Sequence, residues 1–346
     1  MNSLHGSSPA SQTFLKMLFP QILILLLPTS YLCQNALASS TVDVGLILDL
    51  GSLVGKTSLT CMSMALEDFY SSHNRTTRIR LHVRDSKDDV VQAASSAIDL
   101  LKNVQVQAIL GHSISAQADF VIDIGKKSRV PIISSATSPS LSPIENPYFI
   151  GAAQSGSSQV KAITALFKIF NWREVALIYE EGEYRRGIVP YLTDQLAQMC
   201  TCHPLSLLAF FLKAKEAGMT RKGYAWIITD VLTSFFDYLE PSVKDSMQGV
   251  IGVKPHVPNS PQLDNFTSRW RARFRQENPE ITRFELNVFG LWAYDTVTAL
   301  ALAVERAGVS QSEFKKTEPA RNSKIWQELE FQKMVQSCFN QSGTSA

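Results

Sequence analysis

The stretch Val42-Asp43-Val44-Gly45-Leu46-Ile47-Leu48-Asp49-Leu50 decides the fold. Only Asp43, Gly45 and Asp49 interrupt its apolar run, which is the composition of a strand buried on both faces. Residues 57–71 follow, with Leu59, Met62, Leu66 and Phe69 on one helical face. Residues 78–84 alternate Ile79, Leu81 and Val83 with polar side chains, which predicts a strand. A helix over 88–102 with Val91, Ala94, Ile98 and Leu101 inward, a strand over 106–110, a helix over 115–127 and a strand over 129–134 complete the run. Strand and helix alternate with short connections, so each crossover lays its helix on a parallel sheet and both faces become covered.

A turn-rich stretch, 134–146, carries Pro139 and Pro143 and leads to a second set. The pattern predicts strands over 148–151 and 175–179 and helices over 157–170 and 187–198. Another helical pattern, 207–217, then begins almost at once, and only a short stretch, 205–211, is available as the strand between them. The second set therefore reads as one strand-helix unit short. Strands over 225–229 and 249–253 and helices over 262–276 and 288–307 follow. The expected organisation is a first lobe of 42–152 plus about 279–310, a second lobe of 153–278, and a polar tail of 311–346.

In front of all this, Lys16 precedes an uncharged apolar run over 17–32, and Ala36-Leu37-Ala38 follows. That is the layout of a signal peptide, assigned here to 1–38. An α/β chain built for export is more often a binding module than an enzyme. The 346 residues are 45% hydrophobic and 18% charged with a net charge of +2, enough for two globular lobes. The charge balance gives no reason to expect a nucleic acid or an anionic membrane as partner. The one basic stretch, Arg269-Trp270-Arg271-Ala272-Arg273-Phe274-Arg275, reads as a solvated helix face with Trp270 and Phe274 turned inward. Residues 286–304 are apolar but carry Asn287 and a central Asp295, so they read as a buried amphipathic helix rather than a membrane span.

Of the five cysteines, Cys33 lies in the leader. Cys200-Thr201-Cys202 with His203 lacks the second half of a metal site, so no metal and no cofactor are expected. Cys61 and Cys338 are the candidate disulfide. Asn74, Asn265 and Asn340 head sequons that an exported chain would glycosylate.

Three motifs bear on chemistry. Gly51-Ser52-Leu53-Val54-Gly55-Lys56-Thr57 sits where a phosphate loop belongs, but three residues between its glycines are one too few to wrap a phosphate. It reads as a strand-to-helix turn. Gly111-His112-Ser113-Ile114-Ser115 lacks the second glycine of a nucleophile elbow, which keeps a serine hydrolase using Ser113 as the rival reading. The hydroxyls of Ser113 and Ser115 at a helix start suit a bound carboxylate better. Ser134-Ser135-Ala136-Thr137-Ser138 ends the fourth strand at the crevice where open α/β sheets bind ligands, although turn chemistry explains it equally.

The stretches 44–56, 64–70, 131–141, 170–187, 211–230 and 288–304 together resemble the amino-terminal domain of plant glutamate receptor-like channels. Phe211-Leu212-Lys213-Ala214-Lys215-Glu216-Ala217-Gly218-Met219 and Val288-Phe289-Gly290-Leu291-Trp292-Ala293-Tyr294-Asp295 carry the resemblance most specifically. It implies a type I periplasmic-binding-protein fold, with two lobes that each hold a parallel sheet flanked by helices and a cleft that closes on a ligand. It also implies that the second lobe lacks a strand-helix-strand stretch near 199–204, about three dozen residues of the family pattern. The resemblance fades after Ser323, ahead of the family's membrane portion.

By the same resemblance, Ser115 and Thr137 are first-lobe contacts to a ligand's carboxylate and amine; Ser113 and Ser135 join the candidate ligand-binding residues through their own motifs, the helix start and the strand end. Tyr184 covers the ligand from the second lobe, Asp230 holds its amine, and Gln154 stands where the wider superfamily often has an acid. The implied function is the extracellular ligand-binding and assembly domain of a ligand-gated cation channel subunit. Its partners would be a small amino-acid-like ligand and sister subunits in a dimer or tetramer, with the membrane reached only through full-length subunits. A non-functional truncated decoy, secreted or retained in the endoplasmic reticulum, is the further alternative.

Overall fold

The computed structural model describes residues 40–71, 75–111, 115–138, 141, 146–153, 155–179, 183–197, 201–206 and 210–307. The leader, the tail, Asn74, Ser113, Gln154, Cys338 and Asn340 lie outside them.

In chain order the first half runs β1 (Ser40–Leu48), α1 (Leu53–Ser71), β2 (Thr77–Asp85), α2 (Val90–Asp99, extended by a π turn over Leu100–Val104), β3 (Ala108–Gly111), α3 (Ser115–Ser128), β4 (Ile132–Ser134) and β5 (Phe149–Gly151). The second half continues with α4 (Ser157–Phe170), β6 (Glu174–Tyr179), α5 (Glu183–Ala197), β7 (Thr201–Ser206), α6 (Phe210–Glu216), β8 (Ile227–Ile228), α7 (Asp230–Phe235), a 3-10 turn (Phe236–Tyr238), α8 (Pro241–Ser246) and β9 (Ile251–Gly252). Two long helices close the described chain, α9 (Pro261–Glu277) and α10 (Val288–Ala307).

The first five strands form one sheet in the order β2-β1-β3-β4-β5, with parallel ladders between β1 and β3, β3 and β4, and β4 and β5. Side chains alternate across it. Val42, Val44, Leu46 and Leu48 with Leu110, Ile133 and Ile150 enter one core, while Ile47, Ile109, Ile132 and Phe149 enter the other. The decisive strand is thus buried on both sides, as its composition demands.

One expectation for this half needs correction. α2 does not turn Val91 and Ile98 inward. It buries the small residues Ala93, Ser96 and Ala97 and leaves Val91 76% and Ile98 43% exposed. α3 packs beside it with Phe120 58% exposed. Small residues let a helix approach its neighbours closely, and that gain in contact outweighs the few larger groups left in water.

α10 is long and apolar enough to cross a membrane by length and composition. In the fold it is a core helix, with Trp292, Ala293, Val297, Leu300, Ala301, Ala303 and Val304 buried against α1 and β1. A Cβ at Gly290 would stand 2.8 Å from Thr57 Cγ2 and 3.0 Å from Cys61 Sγ, so the crossing of α1 and α10 depends on that glycine. α9 starts at Ser260, whose Oγ accepts the Leu263 N–H at 3.1 Å, with Pro261 in the first turn. Its Phe266, Trp270 and Phe274, four apart, enter the same first core. The boundary at 278 assigns α9 to the second lobe; its aromatic face belongs to the first.

Most of the basic stretch is consumed by pairing. Arg269 forks onto the Asp68 carboxylate with both contacts at 2.8 Å, and Arg271 meets Glu285 at 2.6 Å. Arg273 bridges Glu67 and Glu277, and Arg275 stacks over Phe284. Arg269, Arg271 and Arg273 are thus each held by a carboxylate, while Arg275 keeps an exposed guanidinium over an aromatic ring.

In the second lobe Val160, Ile163, Phe167, Ile188, Leu192 and Leu196 form a third core, smaller than the other two. Its sheet is divided. β6 pairs in parallel with β7, and β8 pairs in parallel with β9. The strand expected over 205–211 lies earlier, at Thr201–Ser206, and the strands expected over 225–229 and 249–253 shrink to two residues each.

Glu305, near the end of α10, fastens β2. Its carboxylate accepts the N–H groups of Thr76 and Thr77 at 2.9 and 3.1 Å and their hydroxyls at 2.9 and 2.6 Å. Burial alone would raise this carboxyl, but the four hydrogen bonds outweigh it and hold it at about 2. A depressed carboxylate adds stability that is complete above its unfolded value near 4.5 and fades as pH falls towards about 2. Glu305→Gln is expected to cost about 1–2 kcal/mol at pH 7. In melting curves the gap between the two proteins should close from pH 4.5 to pH 2, and an unchanged gap would refute this role.

Candidate functional site

Parallel sheets of this order open a crevice at the carboxyl ends of β1 and β3, where the crossovers change side. The backbone there is tightly drawn. Gly111 ends β3 at φ +130°, and a Cβ on it would stand 1.9 Å from the Ile47 carbonyl oxygen of β1. No other residue fits that position. Ser115 opens α3 just beyond and is buried.

β4 delivers the hydroxyl cluster. Ser134 Oγ accepts the Ala136 N–H at 3.0 Å, so part of the cluster performs the turn chemistry its sequence allows. Ser135 is half-buried and lines a cavity of about 20 Å³ with Ser58, Met62, Gly111, Ile133 and Thr296, room for a single water. Thr137 and Ser138 are buried.

Thr137 also carries one of the contacts between the lobes. Its carbonyl oxygen accepts the Gly156 N–H at 2.7 Å, directly before α4. A Cβ on Gly156 would lie 3.0 Å from both that oxygen and Ile188 Cδ1 of α5. One turn into α4, the buried Gln159 accepts the Asp230 N–H at 3.1 Å through Oε1. Asp230 begins α7, and its Oδ1 accepts the Val231 N–H at 2.8 Å. Thr137, Gly156, Gln159, Ile188 and Asp230 therefore meet around the amino end of one helix, where the peptide dipoles favour negative charge. Burial pushes the Asp230 carboxyl above the usual range, against the lowering effect of the Val231 N–H and the Gln159 amide.

The structure brings Thr137 and Asp230 to one place. Ser115 and Ser135 lie at the ends of the neighbouring strands, and Tyr184 lies in the first turn of α5, one turn ahead of Ile188. Gly156 and Gln159 escaped the sequence reading. A glycine directly before a helix, followed by an amide in its first turn, was the available signal. Asn265 is exposed on α9, its Oδ1 accepting Arg269 Nε at 3.1 Å. Cys61 is fully buried facing α10, without a disulfide partner among the described residues, and burial pushes its thiol far up. The Gly51–Thr57 turn spends its donors on itself: Asp49 Oδ1 takes the Gly51 N–H and Ser52 Oγ the Gly55 N–H. Among the described residues no cluster of His, Cys, Asp or Glu is arranged to hold a metal ion.

Comparison with known proteins gives the lineage. A family described as "Receptor family ligand binding region" matches residues 57–202 and 199–339. The chain belongs to that receptor family. The match runs to 339, past the point near Ser323 where the resemblance was expected to fade. Glutamate receptor 2.1 of Arabidopsis thaliana is 43% identical over 326 positions, covering 84% of this chain and 35% of the relative. Glutamate receptor 2.2 of the same plant is 41% identical, covering 81% of this chain and 34% of its own length. The receptor-like chain thus spans about a third of the length of these relatives. Among solved structures, an ABC transporter substrate-binding protein from Desulfitobacterium hafniense superposes with a TM-score of 0.63 at 16% identity, over 84% of this chain and 88% of that one. A leucine-binding protein from Thermotoga maritima gives 0.60 at 15% identity, over 82% and 86%. The fold is that of type I periplasmic binding proteins.

The same alignment also contains positions of the relative that this chain lacks. It has 326 positions, yet 84% of 346 residues is only about 291, so about 35 positions of the relative have no counterpart in this chain. The family match itself breaks at 199–202, between α5 and β7.

A buried acid with a raised pKa stabilises the fold more once protonated, so its contribution rises as pH falls through its folded value. In pH-dependent melting, the domain should gain stability relative to Asp230→Asn as pH drops into the window just above 3.8. A loss there would show Asp230 held by a cation instead.

Proposed function

We propose that this receptor-family chain is the extracellular ligand-binding and assembly domain of a glutamate receptor-like cation channel subunit, holding a small amino-acid-like ligand in the cleft between its lobes. The observation that carries the reading is the meeting of Thr137, the amino end of α4 and Asp230, which draws one expected ligand contact from each lobe into one small region. An α-amino acid needs donors and an acid, because its carboxylate suits helix-end N–H groups and its ammonium suits an acid. Ser113, Ser115 and Ser135 would supply donors from the first lobe, with Gln154 and Tyr184 completing the second-lobe side. The relatives are named glutamate receptors, and one similar structure, a transporter substrate-binding protein from Streptococcus pneumoniae, holds isoleucine.

Opening and closing of the lobes about the 134–156 crossing would pass binding on to the rest of a full-length subunit. The exposed Val91, Ile98 and Phe120 of α2 and α3 offer an apolar face for a sister subunit. The signal peptide and the Asn74, Asn265 and Asn340 sequons fit passage through the secretory route. A Cys61–Cys338 bridge would bring the tail back to α1.

Calorimetric titration of the secreted chain with the twenty common amino acids tests the proposal. At least one should bind, and Thr137→Ala or Asp230→Asn should each weaken it about tenfold or more, roughly 1.4 kcal/mol. Silence across the whole set would overturn it.

A further inference from the structure

An aromatic cluster at the start of α10 joins side chains from both lobes. Phe235 ends α7, and Tyr238 ends the 3-10 turn that follows. Both belong to the second lobe, because α7 rests on the β8 and β9 pair: a Cβ at Gly252 of β9 would stand 2.7 Å from Thr233 Oγ1. Phe289 lies in the first turn of α10, the core helix of the first lobe. The Phe235 and Phe289 rings stack at 5.9 Å and 27°, and Phe289 meets the buried Trp292 edge-on at 5.5 Å. Phe235 also lies 6.0 Å from the Tyr238 ring.

Hydrogen bonds surround the stack. The Tyr238 hydroxyl donates to the Glu285 carbonyl oxygen and accepts from Asn287 Nδ2 at 3.3 Å. Asn287 is buried, and its Oδ1 accepts the Gly290 N–H at 3.1 Å, which caps α10. One amide therefore serves the first turn of α10 and the second lobe together. Arg283 also reaches Glu240 at 2.8 Å, but both side chains are exposed, and a pair in water adds little.

Two features set this contact apart from core packing. Phe235, Tyr238 and Phe289 are half-buried, and none of them belongs to any of the three hydrophobic cores. The contact also stands away from the other meeting of the lobes. The Thr137 to Gly156 bond joins backbone within one crossing and turns with the chain. α7 carries Asp230 beside that crossing and Phe235 at the stack, six residues and roughly 9 Å further on. A contact at that distance from a pivot resists rotation about it.

We infer that Phe235, Tyr238, Asn287 and Phe289 form a clasp that holds the two lobes at one separation, with the Thr137 to Gly156 crossing as its pivot. Stacked rings and a hydroxyl between two segments are made in one arrangement and lost in another, which is what a conformational latch requires. Half-burial keeps the cost of opening small, because little further apolar surface meets water when the rings part. The clasp acts whether or not the cleft holds a ligand.

Pulsed electron–electron resonance on the secreted chain tests the inference, with spin labels attached through ketone-bearing residues at the exposed positions of Lys127 and Lys222, one on each lobe. The wild-type chain should give one narrow distance distribution. Phe235→Ala and Phe289→Ala should each broaden it about twofold or more. The double alanine variant should go no further than either single change, because both remove the same contact. Phe289→Tyr keeps the ring and should keep the distribution narrow. Tyr238→Phe removes only a hydroxyl and should broaden the distribution to a smaller extent, so it decides the question if an alanine variant does not fold. A distribution untouched by Tyr238→Phe and by the alanine variants, a double variant in which the two effects add, or a wild-type chain that is already broad would overturn it.

Discussion

The return of α10 to the first core is the constraint on which the rest of the molecule depends. α10 and α9 follow the whole second lobe in sequence, yet they pack on α1 and β1, and Glu305 fastens the end of α10 to the start of β2. The second lobe is therefore an insertion between β5 and α9, tethered at both ends to a core that is complete without it. The first lobe holds two hydrophobic cores on either side of its sheet, and the second holds one small cluster. Loss of a strand-helix segment from the insertion leaves the larger share of buried apolar area untouched. The same tethering fixes where the lobes meet, because the chain leaves the first sheet at β4 and β5 and enters α4 within a few residues. The Thr137 carbonyl and the Gly156 N–H are paired for that reason.

The first-lobe fold was legible because parallel strands buried on both faces leave apolar runs that little else produces. The helix faces were less so. α2 was read by its largest apolar residues, Val91 and Ile98, and packed by its smallest, because close approach favoured Ala93 and Ala97. A periodicity count cannot separate those faces when both are apolar. α7 and α8 went unread although Pro241 sits in a first turn and Asp230 opens its helix, both helix-start signals. They are six residues each, shorter than any hydrophobic period can reveal.

The site was legible only in part. Hydroxyls at strand ends and Asp230 stood out as residue types with chemistry to offer. The residues that organise them, Gly156 and Gln159, act through a backbone N–H and an amide oxygen and look ordinary in sequence. Their importance comes from a contact between segments 71 residues apart, Gln159 to Asp230, which no local pattern encodes.

The division of the second-lobe strands into two separate pairs also bears on the candidate site. In the first lobe five paired strands hold the residues at the crevice in fixed register. In the second lobe β8, which delivers Asp230, is paired over two residues with β9 and with neither β6 nor β7 among the described residues. Few ladder hydrogen bonds then stand between the native position of α7 and local opening. The Gln159 contact carries a correspondingly larger share of the positioning of Asp230, since it anchors that residue to α4 rather than to a sheet. The candidate residues of the first lobe thus stand on a five-stranded sheet, and Asp230 stands on a short, lightly paired segment held by the Gln159 amide and by the stacking of Phe235 on Phe289.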